Sequence, residues 1–180
     1  MNVPNGMLSS SVVLLGLLAA SAFFSSTEIA VFSLPEEWLA DRVTAGDDRA
    51  AILADLREDP HRLLVTLLVG NNVVNVAISS VLAVLLASHF PEGVAVVLTT
   101  VVASSVVLVF GEILPKSYGL GNAKTWALRM ARPIRIVERV LLPVVVVFDI
   151  VTRRAGAALG GDPDIEEPYT GTAAGGEGAK

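Results

Sequence analysis

Three long stretches of the chain contain no charged residue, and they dominate its pattern of hydrophobic and polar positions. They cover residues 7–27, 63–91 and 93–111. A helix needs roughly 20 apolar residues to cross a bilayer. Buried helices of soluble proteins are rarely this long without a charge, so the pattern predicts three transmembrane helices, here called spans one, two and three.

The segments that follow spans one and three mix apolar with charged positions, as amphipathic helices do. Residues 35–64 are interpreted as a helical hairpin, because Pro35 suits a helix start and Gly46 marks a break. The stretch "KTWALRMARPIRIVERV", residues 124–140, has the same character. Beside the membrane, the two segments would form a collar around the spans. Ordinary connecting helices with a solvated face are the alternative.

A last apolar segment, "RVLLPVVVVFDIVTRR" at residues 139–154, is too short for an ordinary span. Its uncharged core is limited to residues 140–148, contains Pro143 and is closed by Asp149. We predict a helix that lies in the membrane interface or is only partly inserted, with a short fourth span as the alternative. Residues 155–180 are rich in Gly, Ala and acids and have little to bury, which predicts a disordered tail.

Composition supports the same class of protein. The chain is 53% hydrophobic and 17% charged, against about 25% charged residues in average soluble domains. We therefore predict an all-α membrane protein with three transmembrane helices plus amphipathic juxtamembrane helices. The transmembrane domain with its helical belt would cover residues 1–154, and a cytoplasmic tail residues 155–180. Cysteine is absent, which excludes disulfides and thiolate chemistry.

All 13 Lys and Arg residues fall on one side of the membrane if the chain crosses it three times. None precedes span one, and none lies between spans two and three. The positive-inside rule then places the N-terminus outside and the C-terminus in the cytoplasm of a plasma-membrane protein. Span one also lacks the basic region of a signal peptide, so we expect it to be retained.

Span one carries Ser21, Ser25 and Glu28 at spacings that place all three on one helical face. Polar groups are costly inside hydrocarbon, so their placement is informative. The alternative is structural: the serines would bond to carbonyls of their own helix, and Glu28 would only mark the end of the span.

Span two carries three amides within five residues. Asn75 lies four residues after Asn71 and three after Asn72, so it shares a face with both. Gly70 lets another backbone approach closely. Amides can simply hold helices together, but three in so short a stretch exceed that need, and we interpret them as functional.

Span three ends in "FGEILPKSYG", where a carboxylate and a proline follow a long uncharged run. Proline has no N–H, so in an α-helix Pro115 would leave the Gly111 carbonyl unpaired beside the Glu112 carboxylate. Broken membrane helices offer such carbonyls to cations where they line a cavity. The alternative is an ion pair between Glu112 and Lys116, four residues apart.

The three clusters together offer hydroxyl, amide, carbonyl and carboxylate oxygens, without sulfur or histidine. Ligands of this kind favour hard cations such as Mg²⁺, Ca²⁺, Mn²⁺ or Na⁺. Because carboxylates are few, Mg²⁺ or Na⁺ suits the set better than a seven- or eight-coordinate Ca²⁺ site. No nucleophile–base pair or catalytic metal motif indicates an enzyme, and nothing indicates a nucleic-acid partner.

One stretch in each span resembles the transmembrane domain of the CorC/CNNM family of magnesium transporters. The three stretches are "SAFFSSTEIAVFSL", "LLVTLLVGNNVVNVAISSVLA" and "FGEILPKSYG". The resemblance implies a homodimer in the lipid bilayer, with three transmembrane helices and a juxtamembrane belt in each protomer. It also implies Mg²⁺ transport by alternating access, generally as export and with Na⁺ as the candidate exchanged ion.

Carried over by position, the resemblance assigns the ion site to six residues and gives Pro115 the role of shaping it. The six are Ser21, Ser25, Asn72, Asn75, Gly111 and Glu112. Family members usually continue into cytoplasmic CBS domains that bind ATP. The 180 residues include none, so we expect no nucleotide regulation from them. A non-transporting membrane Mg²⁺ sensor, or a scaffold that regulates a partner, is the alternative function.

Overall fold

The computed structural model describes residues 3–158, with the side chains of residues 9–148 and of residues 150, 151 and 154. Every regular element in these residues is a helix. The chain order is α1 (Val3–Phe32), α2 (Glu36–Thr44), α3 (Asp48–Arg57), α4 (Pro60–Ala87), α5 (Glu92–Val106), a π-helical segment (Val107–Ile113), α6 (Leu114–Gly121) and α7 (Ala123–Ala158). The predicted all-α class is confirmed.

Three helical stretches among the described residues are long and apolar enough to cross a membrane. They are Ser9–Phe32, Pro60–Ala87 and Glu92–Gly121. The first two lie in α1 and α4, and the third combines α5, the π-helical segment and α6. These are the three predicted spans. Many of their valines and leucines are exposed, as side chains that face lipid should be.

Span one is the centre of the bundle, because α1 packs against α4, the π-helical segment, α6 and α7. Glycines allow the closest of these contacts. A Cβ at Gly70 would collide with the Phe24 ring, and a Cβ at Gly119 would collide with the backbone carbonyl of Ser26. Small residues of this kind let membrane helices approach backbone to backbone.

Span three is not a continuous α-helix. Over Val107–Ile113 it is π-helical, and the N–H of Leu114 bonds to the carbonyl of Val109, five residues back. Pro115 has no N–H with which to close the ordinary bond to Gly111, so the α register loses one of its hydrogen bonds at this point. Insertions of this type often mark functional sites in helices.

The predicted hairpin between spans one and two is confirmed. Helices α2 and α3 are joined by a turn in which Gly46 has a φ of 81°, a conformation that glycine adopts without strain. Asp47 caps α3 by accepting hydrogen bonds from the N–H groups of Arg49 and Ala50, at 2.9 and 3.4 Å. The capped turn fixes where the hairpin reverses.

Helix α7 joins the amphipathic segment at residues 124–140 and the short apolar segment at residues 139–154 into one helix, and it contains both Pro133 and Pro143. Its inner face buries Ala127, Ala131 and Ile134. It packs against α1, α3 and α4, so that α7 connects the hairpin with the spans. The predicted tail lies outside the described residues except for residues 155–158, which continue α7.

Candidate cation site

Ser21, in the middle of span one, lies at the centre of a cluster of oxygens. Its side chain is fully buried. The Oγ hydroxyl lies 2.8 Å from Asn75 Oδ1 and 3.1 Å from Asn71 Oδ1, both on span two. A hydroxyl carries one proton, so it can donate to only one of the two carbonyl oxygens at a time. The cluster therefore holds more oxygen lone pairs than donors, which suits a cation.

Span three completes this cluster through Glu112. The Nδ2 group of Asn75 donates to Glu112 Oε1 at 3.4 Å. Asn75 therefore connects the serine of span one with the carboxylate of span three. Since each span contributes at least one polar group, the site depends on all three crossings and on how they pack.

Gly111 permits the close approach of span three to Ser21. The residue is buried, and a Cβ at this position would lie 2.7 Å from Ser21 Oγ and 3.3 Å from Ser21 Cβ. No side chain fits in that space. The glycine thus brings the backbone of the π-helical segment against the serine and positions Glu112 beside Asn75.

Ser25 lies one helical turn from Ser21 and is equally buried. Its Oγ has no hydrogen-bond partner within the part of the chain that the structure describes. A buried polar atom without a partner is rare in native proteins and calls for a specific explanation. An ion ligand is one such explanation, and Ser25 is one of the residues that the resemblance assigns to the site.

Asn72 stands apart from the other assigned residues. Its side chain is exposed, and it makes none of the hydrogen bonds that join the cluster. Asn71 takes part instead. The four-residue spacing between Asn71 and Asn75 was the available signal, because it places both amides on one helical face.

The alternative ion pair within span three does not form. Lys116 turns to span one, where its Nζ lies 3.4 Å from Glu28 Oε1. The Glu112 carboxylate therefore contacts Asn75 in the candidate site and not Lys116. Glu28, which the sequence placed on the face of Ser21 and Ser25, serves as the partner of Lys116 at the end of the span.

The donor set is made of neutral oxygens and a single carboxylate. Within the described residues, no three His, Cys, Asp or Glu side chains are grouped as they would be around a transition metal. Hydroxyl, amide and carboxylate oxygens are the ligands of hard cations. Such a set fits an ion that binds with modest affinity and leaves again.

Fold and site together define a multi-pass α-helical membrane domain with a polar oxygen cluster where three spans meet. Residues 12–172 match the family described as the cyclin M transmembrane N-terminal domain. The chain belongs to this CNNM family, which confirms the predicted CorC/CNNM membership.

Several curated proteins are similar to the chain. A chloroplastic DUF21 domain-containing protein of Arabidopsis thaliana is 32% identical over 133 residues, which are 74% of this chain and 20% of that protein. The UPF0053 inner membrane protein YfjD of Escherichia coli is 28% identical over 145 residues, 81% of this chain and 34% of that protein. A UPF0053 protein of Synechocystis is 29% identical over 141 residues, or 78% and 39%. The chain thus spans between a fifth and two fifths of these relatives.

Proposed function

We propose that this membrane domain transports Mg²⁺, and that the ion binds where Ser21, Asn75 and Glu112 converge from three spans. That convergence is the observation that carries the proposal. Polar groups inside a membrane are expensive and are kept where they line an ion or substrate path. A structural role alone would not require a half-buried carboxylate beside a surplus of acceptor oxygens.

The small number of carboxylates favours a small ion with few protein ligands. Mg²⁺ usually keeps several waters and binds through one or two carboxylates, at about 2.0–2.1 Å from its oxygens. Ca²⁺ takes about six to eight oxygen ligands at about 2.3–2.6 Å and would need a larger set than Ser21, Asn75 and Glu112 provide. The ion would keep part of its water, since Mg²⁺ dehydrates reluctantly.

Transport further requires that the site open to each side in turn. In the proposal the protein is a homodimer in the plasma membrane, exports Mg²⁺ and exchanges it for Na⁺. The π-helical segment supports this mechanism because it contains Glu112, and π-helical turns within α-helices often occur at functional sites. A small change of register there would move the carboxylate away from Asn75.

Flux measurements on the purified chain in liposomes test the proposal. Glu112→Gln and Ser25→Ala should each lower Mg²⁺ flux at least tenfold, since hydrogen bonds and contacts to charged groups contribute about 1.5–3 kcal/mol. The matched controls are Glu92→Gln and Ser80→Ala, because both of these residues lie in spans but are exposed. They should keep unaltered rates.

The outcomes distinguish a Mg²⁺ transporter from a non-transporting membrane Mg²⁺ sensor. Unaltered flux in both site variants would refute the proposed ion site. Binding of Mg²⁺ without flux in the unaltered protein would favour the sensor instead. Imposed Na⁺ gradients would then show whether Na⁺ drives export.

A further inference from the structure

A groove rich in basic residues lies between the α2–α3 hairpin and the beginning of α7, away from the cation site. We call it the basic groove. It is a cavity of about 440 Å³, within the range of small-molecule sites. The residues that give it its character are Trp38, Arg42, Asp47, Arg49, Lys124 and Arg129.

The charges that line the basic groove are unbalanced. Four cationic side chains face one carboxylate, that of Asp47. This carboxylate already caps α3 by accepting from the N–H groups of Arg49 and Ala50. Its contact with Arg42 is long, at 4.0 Å between Nη1 and Oδ2. An excess of positive charge therefore remains in the groove.

Trp38 brings two of these cations together from different elements. The Arg42 guanidinium lies 5.4 Å from the centroid of its ring, and the Lys124 ammonium lies 5.5 Å from the same centroid. Attraction to the ring holds each cation in place. Both cations also line the basic groove, so an anion bound there would be attracted by each of them.

The basic groove also lies at the level where the spans leave the bilayer. Lys124 follows the end of span three at Gly121, and Trp38 follows the end of span one at Phe32. Tryptophan is favoured at the headgroup level, and guanidinium groups bind phosphate through paired N–H donors. We propose that the basic groove binds a phosphate group, carried either by an anionic phospholipid or by a dissolved phosphate.

The test compares two charge-matched double variants of the full chain in neutral detergent. Lys124→Gln with Arg129→Gln removes two cations from the basic groove. Arg132→Gln with Arg139→Gln removes two exposed cations from the same helix outside it. Because all four side chains are exposed, both variants should fold, which thermal melting followed by circular dichroism will verify.

Binding is followed by tryptophan fluorescence in a Trp126→Phe background shared by all variants, so that Trp38 is the reporter. The probes are short-chain phosphatidylglycerol, inorganic phosphate, and short-chain phosphatidylcholine as the neutral reference. We expect saturable binding of an anionic probe that weakens at least tenfold in the groove variant and less than twofold in the control.

The pattern of losses identifies the source of the phosphate group. A loss confined to phosphatidylglycerol identifies a lipid headgroup, whereas a loss of inorganic phosphate identifies a dissolved ligand. Equal losses in both variants, equal binding of phosphatidylcholine, or no saturable binding of either anion would overturn the proposal.

Discussion

Replacing Gly111 with alanine tests packing and ion binding in a single step. The new methyl group would lie 2.7 Å from Ser21 Oγ, whereas ordinary contacts of a Cβ begin at 3.4 Å. The contact is therefore too short by about 0.7 Å. Something in the cluster must move, and each available movement disturbs the proposed site.

Two movements could relieve the contact. If Ser21 rotates, its hydroxyl leaves Asn75 and Asn71, which costs about 1 kcal/mol for the lost hydrogen bond and up to about 3 kcal/mol if a buried oxygen stays unpaired. If span three shifts instead, Glu112 moves with it, and overpacking typically costs about 1–3 kcal/mol. Either way we expect Mg²⁺ affinity to fall roughly 5- to 100-fold.

The effect on stability should be smaller than the effect on binding. Alanine is favoured over glycine in a helix interior by up to about 1 kcal/mol, which offsets part of the packing cost. Gly16→Ala is the matched control, since a Cβ at this position of span one meets nothing within 4 Å. It should keep Mg²⁺ affinity and melt at the same temperature or slightly higher.

Calorimetric titration with Mg²⁺ in detergent and flux in liposomes measure the two variants side by side. The reasoning fails if Gly111→Ala binds and transports Mg²⁺ as the unaltered protein does. It also fails if Gly16→Ala loses as much affinity, because the loss would then not depend on the contact with Ser21.

The spans and the hairpin could be predicted from the sequence because single residues or composition encode them. A bilayer tolerates few charges, so long uncharged runs locate the spans directly. Pro35 and Gly46 carry backbone preferences that mark the start and the turn of the hairpin. The continuity of α7 was harder to foresee, since Pro143 interrupts the apolar core of residues 139–154 and favours a separate segment there. Packing of the inner face of α7 against the bundle outweighs the hydrogen bonds that its prolines remove.

The details of the site depend on contacts between residues far apart in the chain. Periodicity placed Asn75 on one face with both Asn71 and Asn72, and only the packing of span one against span two selects Asn71. The ion pair between Glu28 and Lys116 likewise joins residues that are far apart in the sequence. The only sign of the π-helical segment in the sequence is Pro115, which has no N–H to donate. A missing donor alone does not predict that the helix changes from the α to the π hydrogen-bond register.

Two further substitutions test how α6 packs against span one and how α7 packs against span two. Both are measured as protein stability in detergent. Gly119→Ala should lower the melting temperature, because its new methyl group would meet the backbone carbonyl of Ser26, which cannot rotate away. Gly121→Ala is the control and should leave the melting temperature unchanged, since a Cβ there meets nothing within 4 Å. Equal melting temperatures of the two variants would contradict the close contact between α6 and span one. Arg62→Met should lower the unfolding free energy by about 2 kcal/mol, since it removes the N–H donors at 2.9 and 3.0 Å from the Glu138 carboxylate, which is only 7% exposed. This expected loss is smaller than the cost of breaking a fully buried ion pair, because the Arg62 side chain is 43% exposed and solvent screens its charge. Adding Glu138→Leu should restore part of the loss by removing the buried charge, and a double variant less stable than Arg62→Met would show that the cost does not come from an unpaired carboxylate.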